Sequence, residues 1–469
     1  MEEQLNNESR PRNPRRKQRS QLQIFKEAYL PVVIACIALI LILVFIVGSI
    51  TRGIQRSKYE AQASLDASIA EQEELERLTQ EAESLLKKAS ALAAQFDYAG
   101  AITVLDAFQG NMAEFPDLAQ KYEEYTSAQD NLVVWSDPNQ VLNLSFQLLI
   151  ADSERAFADE TYGTSYNRNF ITTGEFTKIL HQLYENGYIL VSLNDVTSET
   201  GAKELYLPKE KKPLILTQTN VNYYTYMIDG DGDKLPDKDG GGFASKLVLD
   251  DNGNITCEMV NSDGNTVTGF YDMVPILESF IETHPDFSYK GARAILAVSG
   301  YDGVFGYRTS PAAEEYFGKA YHDQEVEDAT EIVSKLRETG YEIACYTYEN
   351  EPYGDYTADQ IASELEKWDT EVLPVLGSTD IFVFSRNSDI GENGIAYSGD
   401  KFSALQSRGY KYYLGFCEEG TAWFSAHGSY IRQGRILVTG SNIAYHPEWF
   451  EGIFDASSVL DSSRGDVPG

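Results

Sequence analysis

Between residues 28 and 51 the chain carries no charged side chain, and residues 30–50 are almost entirely aliphatic. A helix of that length, rising about 1.5 Å per residue, crosses the roughly 30 Å hydrocarbon core of a bilayer. The run stays rich in Leu, Ile and Val to its end and lacks the small-residue site at which a secretory leader is cut, so it is expected to persist as an anchor. Arg10, Arg12, Arg15, Arg16, Lys17 and Arg19 precede it, and by the positive-inside rule they keep the N-terminus in the cytoplasm. The expected layout is a basic cytoplasmic tail at 1–28, one transmembrane helix at 29–50 and an extracellular remainder on the cell membrane.

Charge narrows the partners of that outer part. The formal net charge of the 469 residues is −34, and residues 1–28 hold seven basic against four acidic side chains, so the whole excess lies beyond the tail. A phosphate backbone needs the opposite sign, which excludes nucleic acid. The acidity reads as solvated surface. With 42% hydrophobic residues the chain can bury a sizeable core. Its four cysteines do not form a disulfide framework, because Cys36 sits in the apolar run and only one pair among Cys257, Cys345 and Cys417 can bridge.

After the anchor, Leu75, Leu78, Ala82, Leu85, Ala89 and Leu92 step by three and four along one helix face. This is read as a helical stalk over 51–135, monomeric rather than a dimeric coiled coil because Ala alternates in the stripe. FDYAGAITVLDAF (96–108) resembles the start of a tetratricopeptide second helix, but one unit makes no array. SDPNQ ends the stalk, and from 136 onward strands alternate with helices. Strands are expected around VLNLSFQLLIAD, YILVSL, LILTQTN, ARAILAVSG, YEIACYT, TDIFVFS, YKYYLGF and RILVTG. Helices are expected at 172–187, 272–284, 325–339 and 358–368. About seven strands with intervening helices predict an α/β barrel whose chemistry sits at the carboxyl ends of its strands.

FITTGEFTKILHQLYENGYILVSLNDV followed by KKPLILTQTN resembles the opening of extracellular polysaccharide deacetylases of the NodB-homology type, over about residues 140–460. The resemblance implies a distorted (β/α) barrel for 136–469. It also implies a site built from a base and a metal-binding Asp in T-F-D-D, with two histidines from H-[ST]-x-x-H. Carried over position by position, Thr219 takes the base position, Asn220 the metal-Asp position, and Tyr346 and Asn350 the two histidine positions. Gln147 stands where relatives tend to carry a histidine, and Arg386 is the remnant of an Arg-x-Pro-aromatic motif. His446 in IAYH resembles the family's general acid, and Glu419 with Trp423 resembles its groove motif.

The replacements leave no anionic or imidazole ligand for a divalent ion. No two of the five histidines lie at i, i+3 or i, i+4, and no G-x-S-x-G follows a strand. No cofactor is therefore expected in the cleft. Elsewhere, Asp229, Asp231, Asp233, Asp237 and Asp239 in DGDGDKLPDKDGGG resemble an extracellular calcium loop, with Lys234 where Gly is preferred and Gly240 where a bidentate Glu would stand. Both calcium and a plain acidic hairpin tip remain open readings.

The expected function is that of a membrane-anchored pseudoenzyme that binds or senses cell-wall glycan without hydrolysing it. Asn220, Tyr223, Tyr224, Tyr346, Tyr348, Asn350, Arg386 and Trp423 would contact sugar, each aromatic being as readily barrel packing. Two alternatives stand beside it: a divergent metal-dependent N-deacetylase of polysaccharide or peptidoglycan, and an envelope scaffold that binds a protein partner through its stalk.

Overall fold

The structure is a computed structural model describing Leu22 and residues 25–469 apart from Ser136, Glu199 and Thr200; the basic cluster from Arg10 to Arg19 lies outside the described residues. The chain forms two compact units, Met1–Glu83 and Ser84–Gly469. The apolar run belongs to helix α1 (Leu30–Ala94), long and apolar enough to cross a membrane. Its Val, Ile and Leu side chains from Val32 to Val47 are exposed.

In the second unit the last turns of α1 pack against α2 (Tyr98–Asp106) and α3 (Pro116–Asp130). Ala89 is fully buried, and Ser90 Oγ lies 3.1 Å from the Tyr125 hydroxyl. The Lys290 backbone N–H donates to Gln95 O at 2.8 Å, which ties this helical layer to the α/β part. Residues 84–135 of the segment read as a stalk therefore belong to the same compact unit as the strands and helices beyond 136.

That unit is built on parallel strands: β1 (Leu142–Phe146), β2 (Tyr188–Leu190), β3 (Lys212–Thr219), β4 (Ile295–Val298), β5 (Glu342–Cys345), β6 (Ile381–Val383), β7 (Tyr412–Phe416) and β8 (Ile431–Leu437). Pairing runs β4-β5-β6-β7-β8-β1-β3 and returns from β3 to β4, closing a seven-stranded barrel. β3 makes the closure by changing partners along one edge. Lys212–Leu214 pair with β2, and Thr217–Thr219 pair with β4. Two seams are thin, because β5 and β6 share only the Cys345–Phe382 pair and β8 meets β1 only through Leu144 and Ser145. The barrel is distorted there.

Alternation along the strands separates two environments. Leu214 and Leu216 face the outer core, against helices that include α4 (Thr173–Glu185), α5 (Met273–Thr283) and α6 (Lys319–Thr339), while Ile215 faces the interior with Ile295, Ala344, Ile381, Leu414 and Ile431. Above this apolar floor the interior becomes polar. Thr217 donates to Asn143 Oδ1 at 2.8 Å, Asn143 to Gln433 Oε1 at 3.2 Å, and Gln433 to Val141 O at 3.0 Å. Each buried amide and hydroxyl in this layer has a partner, without which it would cost about 1–3 kcal/mol.

The helices start where the sequence places caps. Thr172 and Glu175 form a reciprocal capping box at α4. Glu175 also holds the buried Arg464 at 2.6 Å, docking the C-terminal segment. One element was not legible: an antiparallel sheet of Lys246–Leu249, Ile255–Val260 and Thr266–Gly269 is inserted between β3 and α5. Cys257, Cys345 and Cys417 are all free and buried, so the one bridge that the sequence allowed is not formed.

Glu342 opens β5 with a carboxylate that accepts the Leu193 N–H at 3.2 Å. Burial pushes its pKa up to about 7, aided by Asp195 and Asp380 and opposed by that hydrogen bond. The folded state thus holds this proton more tightly than the unfolded chain, where a Glu titrates at its ordinary 4.5. The associated stability is complete below about pH 4.5 and is lost as pH rises through about 7. The melting temperature should fall between about pH 5 and pH 8, and Glu342→Gln should flatten that part of the profile. An unchanged slope in the variant would remove Glu342 as its source.

Candidate functional site

The carboxyl ends of β1, β3, β5, β6 and β8 surround a cleft of about 240 Å³. β3 delivers Thr219 and Asn220, the loop after β5 delivers Tyr346 and Asn350, and the turn after β6 delivers Arg386 and Asn387. β1 adds Ser145 and Gln147, and β8 adds Arg435 and, just beyond its end, Thr439. Six positions expected from sequence are thereby brought together: Gln147, Thr219, Asn220, Tyr346, Asn350 and Arg386. The lining contains no carboxylate, imidazole or thiol among the described residues.

The strand ends are held in left-handed backbone conformation. φ is +59° at Asn220, +59° at Thr347, +57° at Asn350, +50° at Arg386 and +54° at Asn387. Asn tolerates this region, whereas for the β-branched Thr347 it is a true outlier that stores about 1–3 kcal/mol. The turns bend the chain sharply and direct their side chains across the barrel mouth.

Hydrogen bonds fix the amide groups. Tyr224 donates to Asn220 Oδ1 at 3.0 Å, and Asn220 Nδ2 donates to Gln147 Oε1 at 3.3 Å. Gln147 Nε2 in turn reaches Asn169 O at 3.3 Å, and Thr219 donates to Phe146 O at 3.2 Å. Asn350 Oδ1 is buried with no hydrogen-bond partner among the described residues. Burial raises the Tyr346 phenol above its usual range, although Arg435, Thr219 and Arg386 pull it back, so it remains a neutral hydroxyl.

Arg435, only 1% exposed, is not conspicuous in the sequence, where RILVTG reads only as a strand. Its Nε donates to Gly415 O, Nη1 to Ser145 Oγ and Nη2 to Phe384 O, each at 2.9 Å. It therefore staples β8 to β7, β1 and the end of β6 from inside. The nearest buried carboxylate, Asp389, is bound by Arg432 at 2.9 Å on the outer face. At the rim, Arg386 uses Nε on Asn350 O at 2.8 Å.

Four expected contacts fall elsewhere. Tyr223 is fully buried in the outer core with its hydroxyl on Asp272 at 2.6 Å, because it follows the outward turn at Asn220. Tyr348 turns away from the mouth, its hydroxyl on Glu371. Trp423 packs beside Arg432 and donates to Phe416 O at 3.1 Å. His446 is on the surface, stacked on Trp449 with ring centroids 4.3 Å apart and 3.3 Å from Glu448. β8 ends at Leu437 and a short helix carries the chain away, so Thr439 borders the cleft where the histidine was expected.

Beside the cleft lies a row of tyrosines. Tyr224, which holds Asn220, has its ring centroid 5.8 Å from Tyr226 and 6.0 Å from Tyr301, and Tyr226 lies 5.2 Å from Tyr162. Tyr226, Tyr301 and Tyr162 are exposed.

In the Asp-rich loop, oxygens of Asp229, Asp231 and Asp237 lie within 4.8 Å of one another, and Asp233 and Asp239 stand outside that group. Asp237 accepts the Gly230 and Asp231 N–H groups and Asp229 those of Gly232 and Lys234. Burial works to raise Asp237, but these backbone donors outweigh it and hold its carboxyl below the usual range. Lys234 directs its ammonium over the Tyr316 ring at 4.3 Å, not into the carboxylates.

The fold and site together define an α/β-barrel protein with a polar, cationic cleft at its strand ends. No family model and no curated protein matches the chain. Among solved structures it is similar to the Streptococcus pyogenes deacetylase PplD in complex with acetate, at 12% identity and a TM-score of 0.36, over 66% of this chain and 95% of that one.

The strain at Thr347 is testable. Thr347→Asn keeps an acceptor for the Glu351 N–H, which Thr347 Oγ1 now takes at 3.0 Å, while relieving the backbone. The variant should unfold at higher urea by roughly 1 kcal/mol. A lower midpoint would mean that packing at this buried position outweighs backbone strain.

Proposed function

We propose that this protein is a membrane-anchored, extracytoplasmic glycan-binding protein whose cleft occupies a deacetylase-like position without hydrolysing its ligand. The observation that carries the reading is the cleft itself, lined by amides, hydroxyls and guanidinium groups at the strand ends and linked through Tyr224, which holds Asn220, to the exposed Tyr226 and Tyr301. Amide and hydroxyl groups match sugar hydroxyls and acetamides, and tyrosine faces cover the apolar faces of sugar rings. The sequence resemblance to polysaccharide deacetylases supports the same ligand class.

The residues present do not fit the divalent metal of that family. Asn220, Tyr346 and Asn350 are neutral, and burial keeps the Tyr346 phenol protonated. Catalytic zinc takes about three anionic or imidazole ligands, and here the Arg435 guanidinium borders the same space and repels a cation. No hydrolytic step through a metal is derived. Anchoring rests on α1 and on the basic cluster that precedes it in sequence, which together favour an outer position for the barrel.

Full-length protein in detergent should bind acetylated chitooligosaccharide or peptidoglycan fragments and release no acetate from them. Tyr226→Ala and Tyr301→Ala should each weaken binding about three- to tenfold, since one stacking contact is worth roughly 0.5–1.5 kcal/mol. Acetate release that a chelator blocks would overturn the reading in favour of an enzyme. A reporter fused after Gly469 should be active outside the cytoplasm, and activity of a cytoplasmic reporter at that end would reverse the topology.

A further inference from the structure

The cleft is cationic in a chain whose formal net charge is −34. Both charged residues in its lining, Arg386 and Arg435, are basic, and neither has a carboxylate within ion-pair reach among the described residues. Arg435 is 1% exposed and uses three N–H groups on Gly415 O, Ser145 Oγ and Phe384 O. A guanidinium has five, so two remain for a group in the cleft. Arg386 has its Nε on Asn350 O, and its Nη groups have no hydrogen-bond partner among the described residues.

A buried cation without a counter-charge is costly. Asp389 lessens this only in part. It is already engaged by Arg432 at 2.9 Å and by the Tyr397 hydroxyl at 2.6 Å, and it does not border the cleft. Asp389 is thus committed to Arg432, and the Arg435 cation borders the space where a ligand would sit. The neutral neighbours suit an anion too, because Ser145, Asn387 and Thr439 are able to donate.

We propose that the cleft recognises an acidic sugar, with an oxyanion substituent bound between Arg435 at the floor and Arg386 at the rim. This rests on the glycan reading and adds the ligand's charge to it. Planar guanidinium groups match carboxylate and phosphate geometry, and a water-poor cleft strengthens the pairing. Either group satisfies the chemistry, and the two are separable by experiment.

Full-length protein in detergent is titrated with three probes: a tetrasaccharide of alternating glucuronic acid and N-acetylglucosamine, the same tetrasaccharide with its carboxyls reduced to alcohols, and N-acetylglucosamine 6-phosphate. The acid form or the phosphosugar should bind at least tenfold more tightly than the reduced form, with the preference shrinking in 0.5 M salt. Which of the two binds more tightly identifies the oxyanion. Arg386→Gln should remove most of the preference and Arg386→Lys should recover part of it. Asn350→Asp, a substitution that the local backbone tolerates, should weaken the charged probes more than the reduced form. Arg435→Met should abolish the preference if it folds, and the two rim variants decide the matter if it does not. Equal binding of charged and reduced probes would overturn the inference and leave the glycan reading intact. Failure of all three probes and of acetylated chitooligosaccharide would overturn both.

Discussion

Closure of a parallel barrel depends on one strand that serves two neighbours on the same edge. Lys212–Leu214 pair with Tyr188–Leu190, and three residues later the same edge is taken over by Ile295–Ala297. The opposite edge pairs Leu214–Gln218 with Leu142–Phe146. A parallel strand needs partners on both sides to satisfy its backbone, and the handover leaves Leu214, Thr217 and Gln218 paired on both edges. Thr219 and Asn220 reach the barrel mouth because the second pairing holds the strand straight up to its last residue. Everything placed at that mouth inherits its position from this exchange of partners.

The order of barrel strands was legible because each is a short apolar run bounded by turn residues, and because the amphipathic helices between them carry their own caps, as Thr172 and Glu175 do at Thr173–Glu185. The inserted sheet at 246–269 was hidden for a local reason. Its strands alternate buried and part-exposed residues, as in Ile255–Val260, and they come directly after an Asp-rich loop whose carboxylates dominate that stretch. Of the site, Gln147, Thr219, Asn220, Tyr346, Asn350 and Arg386 were legible through the motif resemblance, while Arg435 was not. An arginine inside a strand reads as solvent-facing until the strand is known to line a barrel. Conversely, Tyr223, Trp423 and His446 carry attractive side chains but follow turns that take them away, and a turn of that kind is set by backbone angle, which sequence specifies weakly.

The interior has a gradient from apolar to polar to charged along the barrel axis. Isoleucines close the amino end, the Asn143, Thr217 and Gln433 amides and hydroxyl form a middle layer, and Arg435 stands beneath the mouth. The middle layer contains no ion, so the charge above it is insulated from the opposite end and acts in the cleft. A fold that uses a buried guanidinium to hold three strands also obtains a fixed positive field at its opening.

The unbridged cysteines have a consequence of their own. Cys257, Cys345 and Cys417 are enclosed, and burial lifts each thiol out of the reactive range, Cys417 to about 12. They sit in different layers: one in the inserted sheet, one at the end of a barrel strand, one just beyond the strand beside Arg435. A thiol reagent reaches each only when its own surroundings part, so the three act as independent clocks of local opening. Cys36, exposed in the apolar helix, answers instead to whatever surrounds that helix. The chain thereby carries four built-in reporters, three for local opening in the barrel and its inserted sheet and one for the surroundings of the apolar helix.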